Sequence, residues 1–346
     1  MALPTDMTAL TLTEGGFATK AGIGPYLDAF EPYLTVSQVP VPEPGPGQAL
    51  IRLRKAAINP SDIHFVKGEY GLPRVQGTSA GFEGCGDVVA TGAGCEALEG
   101  QRVAFIGSET GTGAWAEYVL AEGASCVPLP DGIRDEDAAG FFVNPLTAVG
   151  MISLVEEAGS PAVVLSAGAS QLSKLMIGLA AERGVKTIAL VRRPEQVDML
   201  KALGADHPLV TGAEDFEAVF AAAAKAEKPR VFLDAVVDDI SANVFFGMPN
   251  RTRWVIYGLL DPAPSVLDQM GQLVFTGKRI EGFWLSHWIT SVEEKVRNNA
   301  FATVFRKFGT GEWKTDIRAE ITLKSAPEKL APMLRESNTG KLLFVP

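Results

Sequence analysis

The residues best suited to chemistry lie in Pro161-Ala-Val-Val-Leu-Ser-Ala-Gly-Ala-Ser-Gln-Leu-Ser-Lys-Leu-Met176, together with Arg192 and Arg193 about twenty residues further on. An apolar run meets a small-residue turn and then a helical pattern, as in a strand-turn-helix that holds a phosphate. Gly168 and Ala169 keep the turn small, and the N–H groups of Ser170, Gln171 and Leu172 are predicted to point at a pyrophosphate from the helix start. Only Gly168 remains of a glycine fingerprint; Ser173 stands where a close-packing glycine often stands and is small enough for that place. The next apolar run, Thr187–Val191, ends in arginines rather than an acid. An acid there would bind a ribose hydroxyl, whereas a guanidinium suits a 2′-phosphate. The pair implies NADPH, and with it hydride chemistry. Two plainer readings stay open: a strand-turn-helix that binds nothing, and arginines that are solvated charges. Cations are mildly disfavoured at a helix start, so a bound anion is the better account.

These residues need a parallel sheet to position them, and the second half of the chain has its pattern. From about Asp135 apolar runs alternate with helical stretches. Strands are expected at Ala162–Leu165, Thr187–Val191, Val231–Asp234 and Arg253–Tyr257, and helices at Gln171–Arg183, Glu195–Leu203 and Asp215–Ala226. Residues 7 to about 140 read instead as short strands, among them Ala49–Arg54, Gly86–Ala90 and Trp115–Val119, separated by glycine and proline turns. Pro40–Gly47 is too rich in proline for a central strand and reads as a surface connection. After an amphipathic helix over Val292–Lys307, Ile317–Leu323, a short helix and Lys341–Val345 are expected to return to the first domain.

Composition narrows the class. The 346 residues suffice for two cores, and 47% apolar against 21% charged residues describes a globular chain. A formal charge of −10 argues against a general affinity for nucleic acid. The three cysteines (Cys85, Cys95, Cys126) lack metal-type spacing and suit a reducing cytosol as small buried thiols. The N-terminus has no signal-peptide pattern, and no apolar run approaches the roughly twenty residues of a membrane span, so a cytoplasmic protein without membrane partners is expected.

Several motifs then coincide in order: Ala57–Asp62, Gly68–Gly71, Gly81–Gly84, Val143-Asn-Pro-Leu-Thr-Ala148, the turn above, Gly204-Ala-Asp206 and Gly282-Phe-Trp-Leu285. Together they resemble the medium-chain dehydrogenase/reductase superfamily across almost the whole chain, and within it the zinc-independent branch of quinone oxidoreductases and mitochondrial-type 2-enoyl thioester reductases. The resemblance implies an α/β fold: a GroES-like, partly open β-barrel catalytic domain over 1–140 with a return over 290–346, and a Rossmann-type, doubly wound NADP-binding domain over 141–289. Positions that hold catalytic zinc in related alcohol dehydrogenases align with Asn59, Phe82 and Val143, which cannot ligate it, and no cysteine occurs around Ala97–Gly111.

The same resemblance assigns roles. Tyr70 matches the candidate proton donor, with packing of its loop as the alternative. Asn144, Thr147, Phe283, Trp284, Leu285 and Lys341 match cofactor-flanking positions. Tyr257 and Gly258 follow a strand end, where open α/β sheets bind ligands. For Phe283 and Trp284 plain core packing stays open, as does a turn role for Asn59. Asp62 and Glu83 read as structural hydrogen-bonding groups. The expected function is NADPH-dependent reduction, in a cleft between the domains, of an enone, a 2-enoyl thioester or a quinone. A catalytically weak NADPH-sensing protein is the alternative. A homodimer is expected, with Gln272–Phe275 and Arg279–Phe283 as strand-like segments extending the sheet across a twofold axis.

Overall fold

The computed structural model describes residues 3–20, 22, 24–107, 112–261, 265–336 and 340–346; Ser108 to Gly111, within the segment read above for missing cysteines, lie outside them. The chain divides into two compact units, Met1–Val143 with Phe305–Pro346, and Asn144–Val304.

The first unit is β-rich. It runs β1 (Asp6–Leu12), β2 (Leu34–Pro40), β3 (Gln48–Ile58), helix α1 (Pro60–Lys67), β4 (Glu83–Thr91), β5 (Arg102–Ile106), β6 (Tyr118–Glu122), β7 (Cys126–Pro128) and the short α2 (Asp135–Ala138). Strand β3 organises it. It pairs with β4 along most of its length, with β6 through Gln48–Arg52, and with the C-terminal strand through Ala56–Ile58. Changing partner midway makes a sheet curl rather than lie flat. Trp115 precedes β6 instead of belonging to it. Its N–H goes to the Ala80 carbonyl at 2.8 Å and its carbonyl accepts from Leu10 at 2.9 Å, so its backbone is spent on other segments. The indole is fully buried and meets Phe344 edge-on, with ring centroids 4.9 Å apart.

The second unit starts in α3 (Val143–Glu157) and alternates: β8 (Ala162–Leu165), α4 (Gln171–Glu182), β9 (Lys186–Val191), α5 (Val197–Ala202), β10 (His207–Val210), α6 (Phe216–Glu227), β11 (Val231–Asp234), α7 (Asp239–Gly247), β12 (Arg253–Ile256), α8 (Gly271–Phe275), β13 (Arg279–Gly282), α9 (Leu285–Ser291) and α10 (Glu294–Gly309). The strand order is β10-β9-β8-β11-β12-β13, and every pair is parallel. That is the Rossmann order, whose reversal between β8 and β11 opens a crevice at the carboxyl ends of the strands. Apolar runs such as Ala162–Leu165 and Val231–Asp234 are buried at every position, as a sheet covered on both faces requires. The chain then returns to the first unit from Phe305, within α10, and closes with β14 (Ile317–Thr322), α11 (Ala326–Arg335) and β15 (Lys341–Val345). Phe305 and Phe308 pack on Phe141 at 5.0 and 5.5 Å, so the last turns of α10 belong to that core.

One expected strand is corrected. Gln272–Phe275 lies in helix α8, where Leu273 donates to Met270 and Thr276 to Gln272 at 3.0 Å each. Its amides are satisfied within its own turns rather than by a neighbouring strand.

Candidate functional site

Because all six strands run the same way, their carboxyl ends bring four of the predicted segments to one edge of the second unit. Gly168–Leu172 follows β8, Arg192–Arg193 follows β9, Tyr257–Gly258 follows β12, and Phe283–Leu285 follows β13. Several contacts fix them. Gly168 donates to the Leu190 carbonyl at 2.8 Å, and a Cβ on it would lie 3.0 Å from that oxygen, so a side chain there would push the turn away from β9 by a few tenths of an ångström. A Cβ on Gly258 would sit 3.2 Å from the Ala235 carbonyl. Phe283 donates to Ile256 at 2.8 Å. Asn144 and Thr147 occupy the first turns of α3, whose Gly150 leaves just enough room for Phe283 and Trp288 at 3.1 and 3.0 Å from a built Cβ. Trp284 remains 38% exposed, so its ring is not core packing.

The turn itself holds serines, with Ser173 where a close-packing glycine often stands. Ser170 caps α4: its Oγ accepts the Ser173 N–H at 3.1 Å and donates to the Ser173 Oγ at 3.0 Å. Ser173 is fully buried and reaches the Ser166 carbonyl at 3.3 Å. This ladder corrects one expectation. The Ser170 N–H does not point outward but donates to Ala167 at 2.8 Å, so of the three predicted anion donors this one is already engaged within the turn. Ala167 closes the turn at φ +46°, a left-handed conformation that costs an alanine about 1–2 kcal/mol and that tends to persist at binding sites. Beneath the turn, the Tyr257 hydroxyl is buried without a hydrogen bond of normal geometry, although the Ser173 hydroxyl is its neighbour, and burial raises the phenol above its ordinary pKa.

A second locus lies wholly in the first unit. Asn59 caps α1, and the Asp62 carboxylate accepts its backbone N–H at 2.7 Å and that of Phe82 at 2.8 Å. The Asn59 amide donates to Glu83 at 2.9 Å and accepts from the Lys341 ammonium at the start of β15. Glu83 also accepts the N–H groups of Phe142 and Val143, at 2.9 and 3.0 Å, immediately before Asn144. All four side chains are buried, and Asp62 and Glu83 have no exposure at all. Burial pushes the Asp62 carboxyl up to about 7, helped by the Glu83 charge and opposed by its two amide donors and Lys341. Burial also lowers the Lys341 ammonium below its ordinary value, against the pull of both carboxylates. The Tyr70 ring packs beside this locus, 5.1 Å from Phe82.

The reading of Asp62 and Glu83 as hydrogen-bonding groups thus has named partners, whereas the Asn59–Lys341 pair had no local signal. Its members lie 282 positions apart. The donor set does not suit a metal: the Asn59 amide is engaged on both sides, Phe82 and Val143 are apolar, and among the described residues no three His, Cys, Asp or Glu side chains converge.

Comparison with known proteins fits this geometry. The alcohol dehydrogenase GroES-like domain model matches residues 45–131, and the zinc-binding dehydrogenase model matches residues 172–301. The chain is 31% identical over 300 residues to the mitochondrial enoyl-[acyl-carrier-protein] reductase of Mus musculus, covering 85% of this chain and 80% of that protein. Against the Bos taurus enzyme it is 31% identical over 248 residues, a match that spans 69% of this chain and 65% of that protein, slightly under two thirds. A solved structure from Mesorhizobium loti, given the provisional description NADPH:quinone reductase, superposes with a TM-score of 0.93 at 46% identity over all of both chains.

Proposed function

The chain belongs to the medium-chain dehydrogenase/reductase superfamily, and on that premise we propose that it is an NADPH-dependent oxidoreductase acting on an activated C=C bond or a quinone. The observation that carries this reading is the shared sheet edge, where a small-residue turn and two arginines succeed adjacent strands β8 and β9. The residues fit the cofactor: Gly168 lets the small-residue turn lie close against the end of β9, and Arg192 and Arg193 follow that same strand, where a 2′-phosphate needs cations. The reduced nicotinamide, when bound, supplies the hydride. Gln171 and Leu172 offer amides to the pyrophosphate. Phe283 and Trp284 flank the nicotinamide, and Asn144 and Thr147 approach it from α3.

For a 2-enoyl thioester, negative charge builds on the carbonyl oxygen and a proton must reach the adjacent carbon. A phenol is a hydrogen-bond donor that can give up its proton, and Tyr70 is the group we assign to that transfer. The enoyl reductases of mouse and cattle support this branch; the Mesorhizobium loti structure supports quinone reduction, in which orientation rather than an acid does most of the work. Replacing Tyr70 by phenylalanine separates the two. On a crotonyl thioester kcat is expected to fall by about 10²–10⁴-fold, with quinone reduction changed only a few-fold. Full thioester turnover in Tyr70→Phe would remove the phenol from the mechanism. Tight NADPH binding, followed by fluorescence, with no oxidation by either acceptor would favour a sensor instead.

A homodimer is part of the same reading. Strand β13 ends its sheet, and the α8 residues just before it expose Val274 at 73% and Phe275 at 86%. An open strand edge beside bare apolar side chains is a surface that a second copy would cover. Light scattering at micromolar concentration should give twice the chain mass; a monomer, or an unchanged dimer in Phe275→Glu, would tell against this surface.

A further inference from the structure

We propose that the connection between β1 and β2 braces the loop that carries Tyr70, and that Arg74 and Glu69 are positioning residues for its phenol. The loop starts at Gly68, which ends α1 with φ +79°, and reaches Arg74, so Tyr70 lies between two anchor points. At the far anchor Arg74 is only 5% exposed. Its backbone exchanges two hydrogen bonds with Gly16, at 2.8 and 3.1 Å. Its guanidinium donates to the Gly16 carbonyl at 3.2 Å, to the Val66 carbonyl in the last turn of α1 at 3.1 Å, and to the Glu14 carboxylate at 3.4 Å. One side chain therefore ties the loop, the helix and the β1–β2 connection together.

The near anchor is equally tight. Ala18 donates to the Gly68 carbonyl at 2.8 Å. A Cβ on Gly68 would fall 2.7 Å from the Ala18 nitrogen and 2.8 Å from the Arg74 Cζ, so a side chain there would drive the brace from the loop. Glu69, next to Tyr70, accepts the Gly22 N–H and pairs with Lys67 at 3.0 Å, while Lys67 donates to the Gly24 carbonyl at 2.7 Å. Burial would raise the Glu69 carboxyl, but Gly22, Lys67 and His64 outweigh it and hold it below its ordinary value.

A glycine-flanked loop of this kind would ordinarily sample many conformations. Fixing both ends removes that freedom before substrate arrives, which favours a phenol held in one attack geometry. A few tenths of an ångström of release at either anchor is expected to lower turnover rather than binding.

The inference rests on the assignment of Tyr70 as proton donor, and a mutant cycle keeps the two apart. Arg74→Met, Arg74→Lys and Glu69→Gln are compared alone and with Tyr70→Phe, at saturating NADPH on a crotonyl thioester. Arg74→Met should lower kcat about tenfold or more with KM moved less than threefold, Arg74→Lys should recover part of it, and Glu69→Gln should cost about threefold to tenfold. In the Tyr70→Phe background each should cost less than twofold. Amide exchange at Glu69 should quicken in Arg74→Met. Should Arg74→Met fail to fold, Glu69→Gln carries the cycle. Losses that multiply undiminished in the Tyr70→Phe background, or full kcat in Glu69→Gln and Arg74→Met while Tyr70→Phe is impaired, would overturn the brace. Unimpaired Tyr70→Phe would instead overturn the proton-donor assignment, and the brace with it.

Discussion

Replacing Arg192 and Arg193 together by alanine should raise the dissociation constant for NADPH by about 10²- to 10³-fold, and that for NADH by less than threefold. Each charge-assisted hydrogen bond to a phosphate is worth roughly 1.5–3 kcal/mol, and each 1.4 kcal/mol is tenfold in affinity. The two guanidinium groups follow β9 directly. Arg192 is exposed, and Arg193 is extended, with φ −125° and ψ 132°, ahead of a short helical turn. The Gly168–Leu190 hydrogen bond ties the small-residue turn to the same strand end, so both halves of the proposed anion site share one support. The parent's preference for NADPH should narrow as ionic strength rises, because exposed ion pairs are screened over about 10 Å at 0.1 M salt. Fluorescence titration of the two nucleotides reads all of this. Equal affinity for NADH and NADPH in the parent protein would defeat the assignment.

The second large effect is expected from Lys341→Met. The ammonium donates to the Asn59 side chain, whose amide donates in turn to Glu83, and its charge acts on two fully buried carboxylates, Asp62 and Glu83. Breaking a buried ionic network from one side typically costs about 3–5 kcal/mol, because the remaining charge is left without a counterion. The pH dependence has a definite sign. Asp62 already titrates near 7 in the folded chain, above its unfolded value, so its protonated form favours folding and this contribution is lost as pH rises through 7. Without Lys341 the Asp62 carboxyl rises further, because the charge that opposed its rise is gone. The stability gap between parent and variant should therefore be largest near pH 8 and shrink toward pH 5. Adding Glu83→Gln to Lys341→Met should recover part of the loss at pH 8. Urea unfolding of the three proteins measures it, and a variant as stable as the parent at pH 8 would show that Lys341 neutralises nothing.

Both results bear on the same question, how far local pattern reaches. The runs Ala162–Leu165, Val231–Asp234 and Lys341–Val345 are strands at the bounds expected of them, since an apolar run closed by glycine, proline or charge commits its own backbone. The strand-turn-helix at Ala162–Glu182 is also legible, because small residues between a strand and a helix leave few alternatives. Its hydrogen bonds are not. Whether the Ser170 N–H faces outward or back to Ala167 depends on which serine caps the helix, and several spacings of serine look alike in a string of letters. Gln272–Phe275 was misread for a related reason. Its β-prone residues do not say whether their amides will meet a neighbouring strand or the carbonyls of their own turn, and here Met270 and Gln272 accept those of Leu273 and Thr276.

The amino-acid order by itself determined the alternation of strands and helices, the arginines after β9 and the absence of zinc-type ligands at Asn59, Phe82 and Val143. The first two are settled by residues within a turn or a strand of one another, whereas the third is read through the superfamily resemblance at positions far apart in the chain. Only the tertiary structure decided that Lys341 meets Asn59 across 282 positions, that Arg74 ties Gly16 to the end of α1, and that Glu83 holds the amides ahead of Asn144. A buried charge takes whichever partner chain closure delivers to it. That choice depends on the whole fold excluding water from the pair, which no local stretch encodes.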